Sequence, residues 1–265
     1  MLTTRHPTGS PDWLDLGTPD PAAALAFYGA LFGWDFRPAG PGTGGHGLFQ
    51  LDGRTVAGGP ALTPGRAAPA WTLHFRTADA DATATAARDG GGTVLSGPAD
   101  VPGLGRTALL ADPAGARFAV RQPGADGGLE RVGVPYALCW AELYTRDPAA
   151  AMAFYGSVLG LESSCSTRPG DTRSPLVLAP ADGGDDASFG SLVPLRTDPV
   201  ETAEAPYWTP VFEVPDADAT AAGAARLGGT VRLAPEERPG LGRFAKLTDP
   251  QGARFAVVTG LATRA

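Results

Sequence analysis

Short runs of apolar residues recur along the chain, each bounded by glycine, proline or polar residues. The first run, Trp13–Leu16, is typical of a β-strand. The alanine-rich segment Pro21–Leu31 follows Asp20, whose carboxylate can cap the first N–H groups of a helix, and proline suits the first helical position. Gly33 is typical of a helix end. Two further strands are predicted where apolar and polar residues alternate, at Leu48–Leu51 and Arg54–Ala57.

The same order of elements begins again with a strand at Trp71–Arg76 and a helix at Ala80–Arg88. Three more strands are predicted at Thr93–Leu95, Arg106–Leu110 and Phe118–Arg121. Each half-domain therefore follows the order strand–helix–strand–strand–strand, and the chain holds four such modules. We expect an α+β fold in which helices cover one face of a curved mixed sheet. The concave face is then left for a small-molecule cavity.

The chain contains an internal repeat. Trp13–Phe36 and Trp140–Ser163 share 13 of 24 residues, and Pro69–Arg121 and Pro206–Val258 share 31 of 53. We therefore predict two related domains, residues 1–122 and 136–265, joined by a Gly- and Pro-rich linker at 123–135. The second copy carries a longer excursion at residues 164–205.

Composition excludes several classes of protein. Of the 265 residues 43% are hydrophobic and 18% are charged, which favours a folded chain over a disordered one. The net charge of −7, without a local basic patch, argues against nucleic-acid binding. Apolar runs are too short to cross a membrane, and residues 1–12 do not resemble a secretory signal, so we expect a cytoplasmic protein without membrane contact.

Three repeated motifs carry a resemblance to a known family. They are DPAAALAFYGALFGW and DPAAAMAFYGSVLGL, DPAGARFAV and DPQGARFAV, and DADAT followed by GGTV in both copies. With these motifs the chain resembles the vicinal oxygen chelate superfamily of glyoxalases, bleomycin-resistance proteins and extradiol dioxygenases. It is most similar to two-domain actinobacterial members. The resemblance implies tandem glyoxalase-like domains, each built from two paired βαβββ modules whose sheet surrounds a cavity.

The resemblance also implies where a metal ion would be held. Catalytic relatives use His, Gln or Glu at three strand positions, which in this chain hold Trp13, Thr72 and Ala119 in the first copy. The second copy has Trp140, Thr209 and Ala256 there. Indole and methyl groups offer no lone pair to a cation. We therefore expect no metal and no other cofactor.

Alternation along the strands adds polar groups to the predicted cavities, because residues two apart face the same side. Asp15 accompanies Trp13, and His74 accompanies Thr72. Asp15 could orient His74 as a general base, or His74 could be a hydrogen-bonded core residue. In the second copy the same alternation directs Trp140, Glu142, Tyr144 and Thr209 inward.

Three further residues are candidates for ligand contact. Arg106 and Arg243 follow PGLG turns and could meet an anion at the cavity mouth, or they could lie on the surface at the start of a strand. Phe49 lies on a middle strand and could line either the pocket or the core.

These observations favour a metal-independent protein that binds a hydrophobic, aromatic small molecule, as in drug binding or resistance. The alternative is a metal-free enzyme that tailors a natural product by acid–base chemistry at Asp15 and His74. A metal-dependent lyase or dioxygenase fits less well. Whether the chain is an enzyme stays open. The expected partner is a small-molecule ligand, and the chain is expected to be a monomeric pseudo-dimer or a homodimer.

Overall fold

A computed structural model gives the fold of the chain. It describes residues 2–38, 47–59, 68–124, 127–165, 176–184, 187–198, 200–201, 205–238 and 240–260. Within the predicted excursion at 164–205, residues 166–175, 185–186, 199 and 202–204 lie outside this description.

In its described residues the first repeat has two helices and eight strands. The helices are α1 (Pro21–Phe32) and α2 (Ala80–Asp89). The strands are β1 (Pro11–Gly17), β2 (Asp35–Pro38), β3 (Gly47–Leu51), β4 (Arg54–Gly58), β5 (Ala70–Arg76), β6 (Thr93–Val101), β7 (Gly105–Ala111) and β8 (Arg117–Gln122).

The second repeat has the same order of elements. Its α-helices are α3 (Pro148–Leu159) and α4 (Ala217–Arg226), and a short 3₁₀ turn covers Leu195–Thr197. The strands are β9 (Leu138–Thr145), β10 (Leu161–Cys165), β11 (Leu176–Pro180), β12 (Gly190–Pro194), β13 (Tyr207–Glu213), β14 (Thr230–Arg238), β15 (Gly242–Thr248) and β16 (Arg254–Thr259). The predicted order of the four modules is confirmed.

Each repeat forms one eight-stranded mixed sheet. The strand orders are β2-β3-β4-β1-β5-β8-β7-β6 and β10-β11-β12-β9-β13-β16-β15-β14. Parallel pairs lie near the centre, as in β9 with β12 and β13 with β16, whereas the outer hairpins are antiparallel. The two equivalent sheets confirm the predicted α+β fold class.

The helix boundaries follow from local chemistry. Asp20 accepts a hydrogen bond from the backbone N–H of Ala23 over 3.0 Å, and Pro21 opens the helix, as predicted. Gly33 ends α1 with φ +71°, a conformation that glycine adopts without steric cost. Asp147, Pro148 and Gly160 do the same for α3.

The chain forms two compact units that do not follow the linear order of the repeats. Unit 1 comprises Met1–Trp13, Leu73–Gly128 and Trp140–Trp208, and unit 2 comprises Leu14–Thr72, Leu129–Cys139 and Thr209–Ala265. Unit 1 therefore contains α2 and α3, whereas unit 2 contains α1 and α4. The linear division at 1–122, 123–135 and 136–265 stays a prediction.

Each unit has an aromatic core beneath its helices. In unit 1 the core centres on Tyr155, which contacts Phe118 and Trp208 edge-to-face. In unit 2 it centres on Tyr28, which contacts Trp34, Phe49 and Trp71. Among the described residues no helix is long and apolar enough to span a membrane.

Candidate functional site

The second repeat brings together a buried group of polar and aromatic side chains, which we call the Tyr144 cluster: Trp140, Glu142, Tyr144, Ser191 and Tyr207. All five belong to unit 1. The Tyr144 hydroxyl donates a hydrogen bond to Oε2 of Glu142, two residues earlier on β9. The Trp140 indole donates to Oγ of Ser191 over 3.0 Å, and Ser191 is the register partner of Glu142 on β12. Trp140, Glu142 and Tyr144 therefore lie on one face of the sheet.

Tyr207 adds a second ring to this cluster. Its ring stacks on that of Tyr144 with centroids 5.1 Å apart and planes 18° apart. Tyr144 is fully buried and Glu142 is 2% exposed, whereas Tyr207 is partly exposed. Glu142 thus fixes the orientation of Tyr144, and Tyr144 supports the more accessible ring of Tyr207.

This arrangement can perform two kinds of chemistry. A partly exposed ring held by a buried ring offers a rigid stacking surface to a planar molecule. The carboxylate of Glu142 is a hydrogen-bond acceptor and, in principle, a base. Thr209 lies two residues beyond Tyr207 on β13 and is 3% exposed.

The first repeat contains a different group, which we call the Asp12 cluster: His6, Asp12, His74, Arg76 and Arg121. All five belong to unit 1. Nη1 of Arg121 donates to Oδ2 of Asp12 over 2.6 Å, and neither side chain is exposed. Nη1 of Arg76 lies 3.7 Å from the same oxygen. Burial raises the pKa of Asp12, and Arg121, His6 and His74 oppose that effect by favouring the carboxylate.

The Arg121 side chain is held on several sides. Its Nε donates to the carbonyl oxygen of Leu104 over 2.7 Å, and its guanidinium carbon lies 5.6 Å from the centre of the Trp13 ring. Gly128 packs against the cluster with φ +99°, and a Cβ there would lie 2.7 Å from the carbonyl oxygen of Asp12. Segments distant in the sequence therefore close around this cation.

The two residues predicted as a catalytic pair lie on neighbouring strands of one sheet, Asp15 on β1 and His74 on β5. His74 is 7% exposed and belongs to unit 1, whereas Asp15 is partly exposed and belongs to unit 2. The register partner of His74 is Ala119 on β8, and the carboxylate whose pKa His74 affects is that of Asp12. The pairing of Asp15 with His74 stays a prediction, and sequence reasoning missed Asp12 and Arg121 altogether.

The side chains at the family's metal positions do not form a fitting ligand set. Trp13 and Trp140 are buried, and the N–H of Trp140 is already a donor to Ser191. Ala119 and Ala256 contribute only methyl groups, which leaves the hydroxyls of Thr72 and Thr209. A divalent transition metal needs three or four N, O or S ligands. Within the described part of the chain, no three His, Cys, Asp or Glu residues are grouped to hold a metal ion.

The two arginines predicted at the cavity mouth are engaged elsewhere. Arg106 donates to both carboxylate oxygens of Asp81 in the first turn of α2, and Arg243 does the same with Asp218 in α4. The arginines lower the pKa values of Asp81 and Asp218. Both pairs lie at the surface, so a role in ligand binding stays a prediction for these arginines.

Phe49 belongs to unit 2. It is 2% exposed, and its ring packs in the aromatic core of unit 2 beside Trp34 and Tyr28. A contact of Phe49 with a ligand stays a prediction.

Two buried hydrogen-bond chains explain the repeated signatures. In unit 2, Nε1 of Trp71 donates to the Tyr28 hydroxyl over 3.0 Å, and that hydroxyl donates to Oδ2 of Asp249 over 3.2 Å. In unit 1 the corresponding chain runs from Trp208 through Tyr155 to Asp112, over 2.9 and 3.1 Å.

The aspartates of these chains also accept hydrogen bonds from backbone N–H groups of the turns that follow them. Oδ1 of Asp249 accepts the backbone N–H groups of Gln251 and Ala253, both over 2.9 Å. Burial raises the pKa values of both tyrosines well above the usual range and raises those of Asp112 and Asp249. These groups have a structural role.

Unit 2 also contains a surface cavity of about 340 Å³. Its walls come from the end of α1, from Tyr136 and from one side of α4 along its length, between Asp216 before the helix and Arg226 at its end. The volume is in the range of ligand pockets. None of the residues predicted for ligand binding lines it.

The chain is similar to known proteins along most of its length. A model of the Glyoxalase/Bleomycin resistance protein/Dioxygenase superfamily matches the chain twice, over residues 10–120 and 137–257. The anthracycline biosynthesis protein DauV of Streptomyces sp. (strain C5) is 40% identical, with 96% of this chain and 94% of the relative covered. The putative glyoxylase CFP32 of Mycobacterium tuberculosis (strain CDC 1551 / Oshkosh) is 37% identical, with 96% of each chain covered.

Solved structures support the fold. The 2,3-dioxygenase LapB of Pseudomonas sp. KL28 superposes with a TM-score of 0.65 at 14% identity, covering 97% of this chain and 93% of LapB. The Mn(II)-bound glyoxalase of Novosphingobium aromaticivorans gives 0.64 at 17% identity, covering 96% and 83%. At these identities the likeness concerns the architecture.

Proposed function

The chain belongs to the Glyoxalase/Bleomycin resistance protein/Dioxygenase superfamily, and from that premise we propose that it binds a planar aromatic intermediate of natural-product biosynthesis without the help of a metal ion. The observation that carries the proposal is the stacked pair of Tyr144 and Tyr207, with Tyr207 partly exposed. A fused aromatic ring system matches such a surface in shape and in polarity.

Two further findings support this proposal. The relative DauV is named as an anthracycline biosynthesis protein and aligns along nearly the whole chain. Anthracyclines contain a planar hydroxyanthraquinone, which is the kind of molecule that stacks on a tyrosine ring. The side chains at the family's metal positions, Trp140, Thr209 and Ala256 in the second copy, favour contact with an apolar ring over coordination of a cation.

Equilibrium dialysis with a hydroxyanthraquinone tests the proposal. We expect saturable binding that Tyr207→Ala weakens about 2- to 13-fold, because one aromatic stacking contact contributes about 0.5–1.5 kcal/mol. Tyr207→Phe keeps the ring and is the matched control, with an affinity close to that of the unaltered protein. Absence of saturable binding, or an equal affinity for the Tyr207→Ala variant, would contradict the proposal.

A second candidate is a metal-free enzyme that tailors such an intermediate. The hydrogen bond between Tyr144 and the buried Glu142 favours it, because a positioned carboxylate can exchange a proton with a bound phenol. His74 with Asp15 is the other candidate pair for this chemistry. If His74 is the base, His74→Ala should lower the rate about 10²- to 10⁴-fold with binding intact. If Glu142 is the base, Glu142→Gln should do so while His74→Ala does not.

A further inference from the structure

We infer that the two repeats have divided their roles, so that the second copy alone binds the ligand and the first copy is closed by its own ion pair. This inference rests on the proposed function. It assigns one binding site per chain, for a planar aromatic ligand, to the Tyr144 cluster. It gives the Asp12 cluster a structural role.

The first copy lacks the rings that form the site in the second. In the aligned repeats, Gly17 corresponds to Tyr144 and Ala70 corresponds to Tyr207. The serine that accepts the hydrogen bond of Trp140 has no counterpart either. Asp15 pairs in register with Gly58, whereas the equivalent Glu142 pairs with Ser191. The first copy therefore lacks both the stacked rings and the serine that holds Trp140 in the second copy.

The charged residues of the Asp12 cluster, in contrast, belong to the first copy and are replaced by uncharged residues in the second. Asp12 and Arg121 correspond to Cys139 and Val258, and both of the latter are buried. His74 corresponds to Val211, which is also fully buried. One copy has thus acquired a buried ion pair at positions where the other has small apolar residues and a thiol.

The Asp12–Arg121 ion pair disfavours ligand binding in its place. The Arg121 guanidinium lies over Trp13, the residue at the family's first metal position, and it is tied to Asp12 and to the Leu104 carbonyl oxygen. A ligand that displaced this side chain would leave a buried carboxylate without its main partner, which is strongly unfavourable. The Arg121 guanidinium is therefore part of the packed interior, and it closes the region around Trp13 in the first copy to a ligand.

Calorimetric titration of the full chain with a hydroxyanthraquinone measures the number of sites directly. We expect one site per chain. Tyr207→Ala should weaken binding about 2- to 13-fold. The double variant Asp12→Cys with Arg121→Val places the second copy's residues in the first copy, and it should keep one site with an affinity within about twofold of the unaltered protein.

Hydrogen exchange of the backbone amides is a second test. It uses the unaltered protein, so its result does not depend on whether a variant folds. Ligand should protect the amides of Leu138–Thr145 and Tyr207–Glu213, and it should leave those of Pro11–Gly17 and Ala70–Arg76 unchanged. Two sites per chain would overturn the division of roles while leaving the proposed function intact. Protection of the first-copy strands instead would overturn both the division of roles and the placement of the ligand on Tyr207. Absence of any saturable binding would overturn the proposed function and the inference with it.

Discussion

The carboxylate of Asp12 lies 2.6 Å from the guanidinium of Arg121, and neither side chain reaches solvent. The two residues are 109 positions apart in the sequence. Asp12 therefore fixes the first strand of the repeat to its last strand through a buried pair of opposite charges.

Removing one member of this pair should be costly. Asp12→Ala leaves the Arg121 cation buried without its carboxylate, and we expect the free energy of unfolding to fall by about 3–5 kcal/mol. Replacing both residues by those of the second copy, Asp12→Cys with Arg121→Val, should recover most of that loss. Urea unfolding monitored by tryptophan fluorescence measures both effects. A double variant no more stable than the single one would show that the charges are not coupled.

The two buried tyrosine hydroxyls should contribute equally and independently. Tyr28→Phe removes the acceptor of Trp71 and the donor to Asp249, and Tyr155→Phe does the same for Trp208 and Asp112. We expect each substitution to cost about 1–3 kcal/mol, because buried polar atoms lose their partners.

These two costs should add in the double variant, since the two chains of hydrogen bonds share no residue. Thermal and urea unfolding of the three variants test this. Phe32→Leu, a substitution in the same core without a hydrogen bond, is a control for the effect of altered packing.

Asp249 should make the stability of the protein depend on pH in the acid range. Burial raises the pKa of its carboxyl above 3.8, so the folded state holds the proton more tightly than the unfolded state does. The stability that this group contributes is therefore present at low pH and is lost as the pH rises from about 3.8 through the raised pKa.

Asp249→Asn removes that titration. The stability of the Asn variant relative to the unaltered protein should rise with pH across the same interval, and Asp112→Asn should behave alike. Urea unfolding at a series of pH values gives the comparison. A relative stability that falls with rising pH would mean that the folded-state pKa of the carboxyl is lowered.

Chelation should leave the protein unchanged. Because Trp140, Thr209 and Ala256 offer no ligand set, dialysis against EDTA should shift neither the melting temperature nor the affinity for a hydroxyanthraquinone. A bound metal at 100 times its dissociation constant would contribute about 2.7 kcal/mol, which differential scanning calorimetry detects easily. A drop in melting temperature that one divalent metal reverses would show that ligands outside these positions hold an ion.

Local signals account for the elements that could be predicted from the sequence. Asp20 and Pro21 mark the start of α1 and Gly33 marks its end, and the structure places the helix between them. β6 shows where local signals fail. The strand was expected to end at Leu95 but runs to Val101 through Gly97 and Pro98, because it is an edge strand whose irregular pairing with β7 tolerates a proline.

The candidate site was harder to predict because its contacts are not local. Trp140, Glu142 and Tyr144 follow from the period of a strand, but the stacking of Tyr207 on Tyr144 requires the pairing of distant strands. Asp12 and Arg121 belong to no motif. The available signal was the comparison of the repeats, in which Arg121 aligns with Val258 inside a closely matching segment.

The bond between Tyr28 and Asp249 joins the first and last quarters of the sequence, and the bond between Tyr155 and Asp112 joins its two middle quarters. A protease cut in the linker would therefore not release two self-sufficient halves, since each fragment would carry one partner of each bond and expose the aromatic surface around it. Separately produced fragments should be insoluble alone and should regain a native fold when mixed. In that case the tandem repeat would behave as a covalently tethered dimer, because the tether would supply the local concentration needed for assembly.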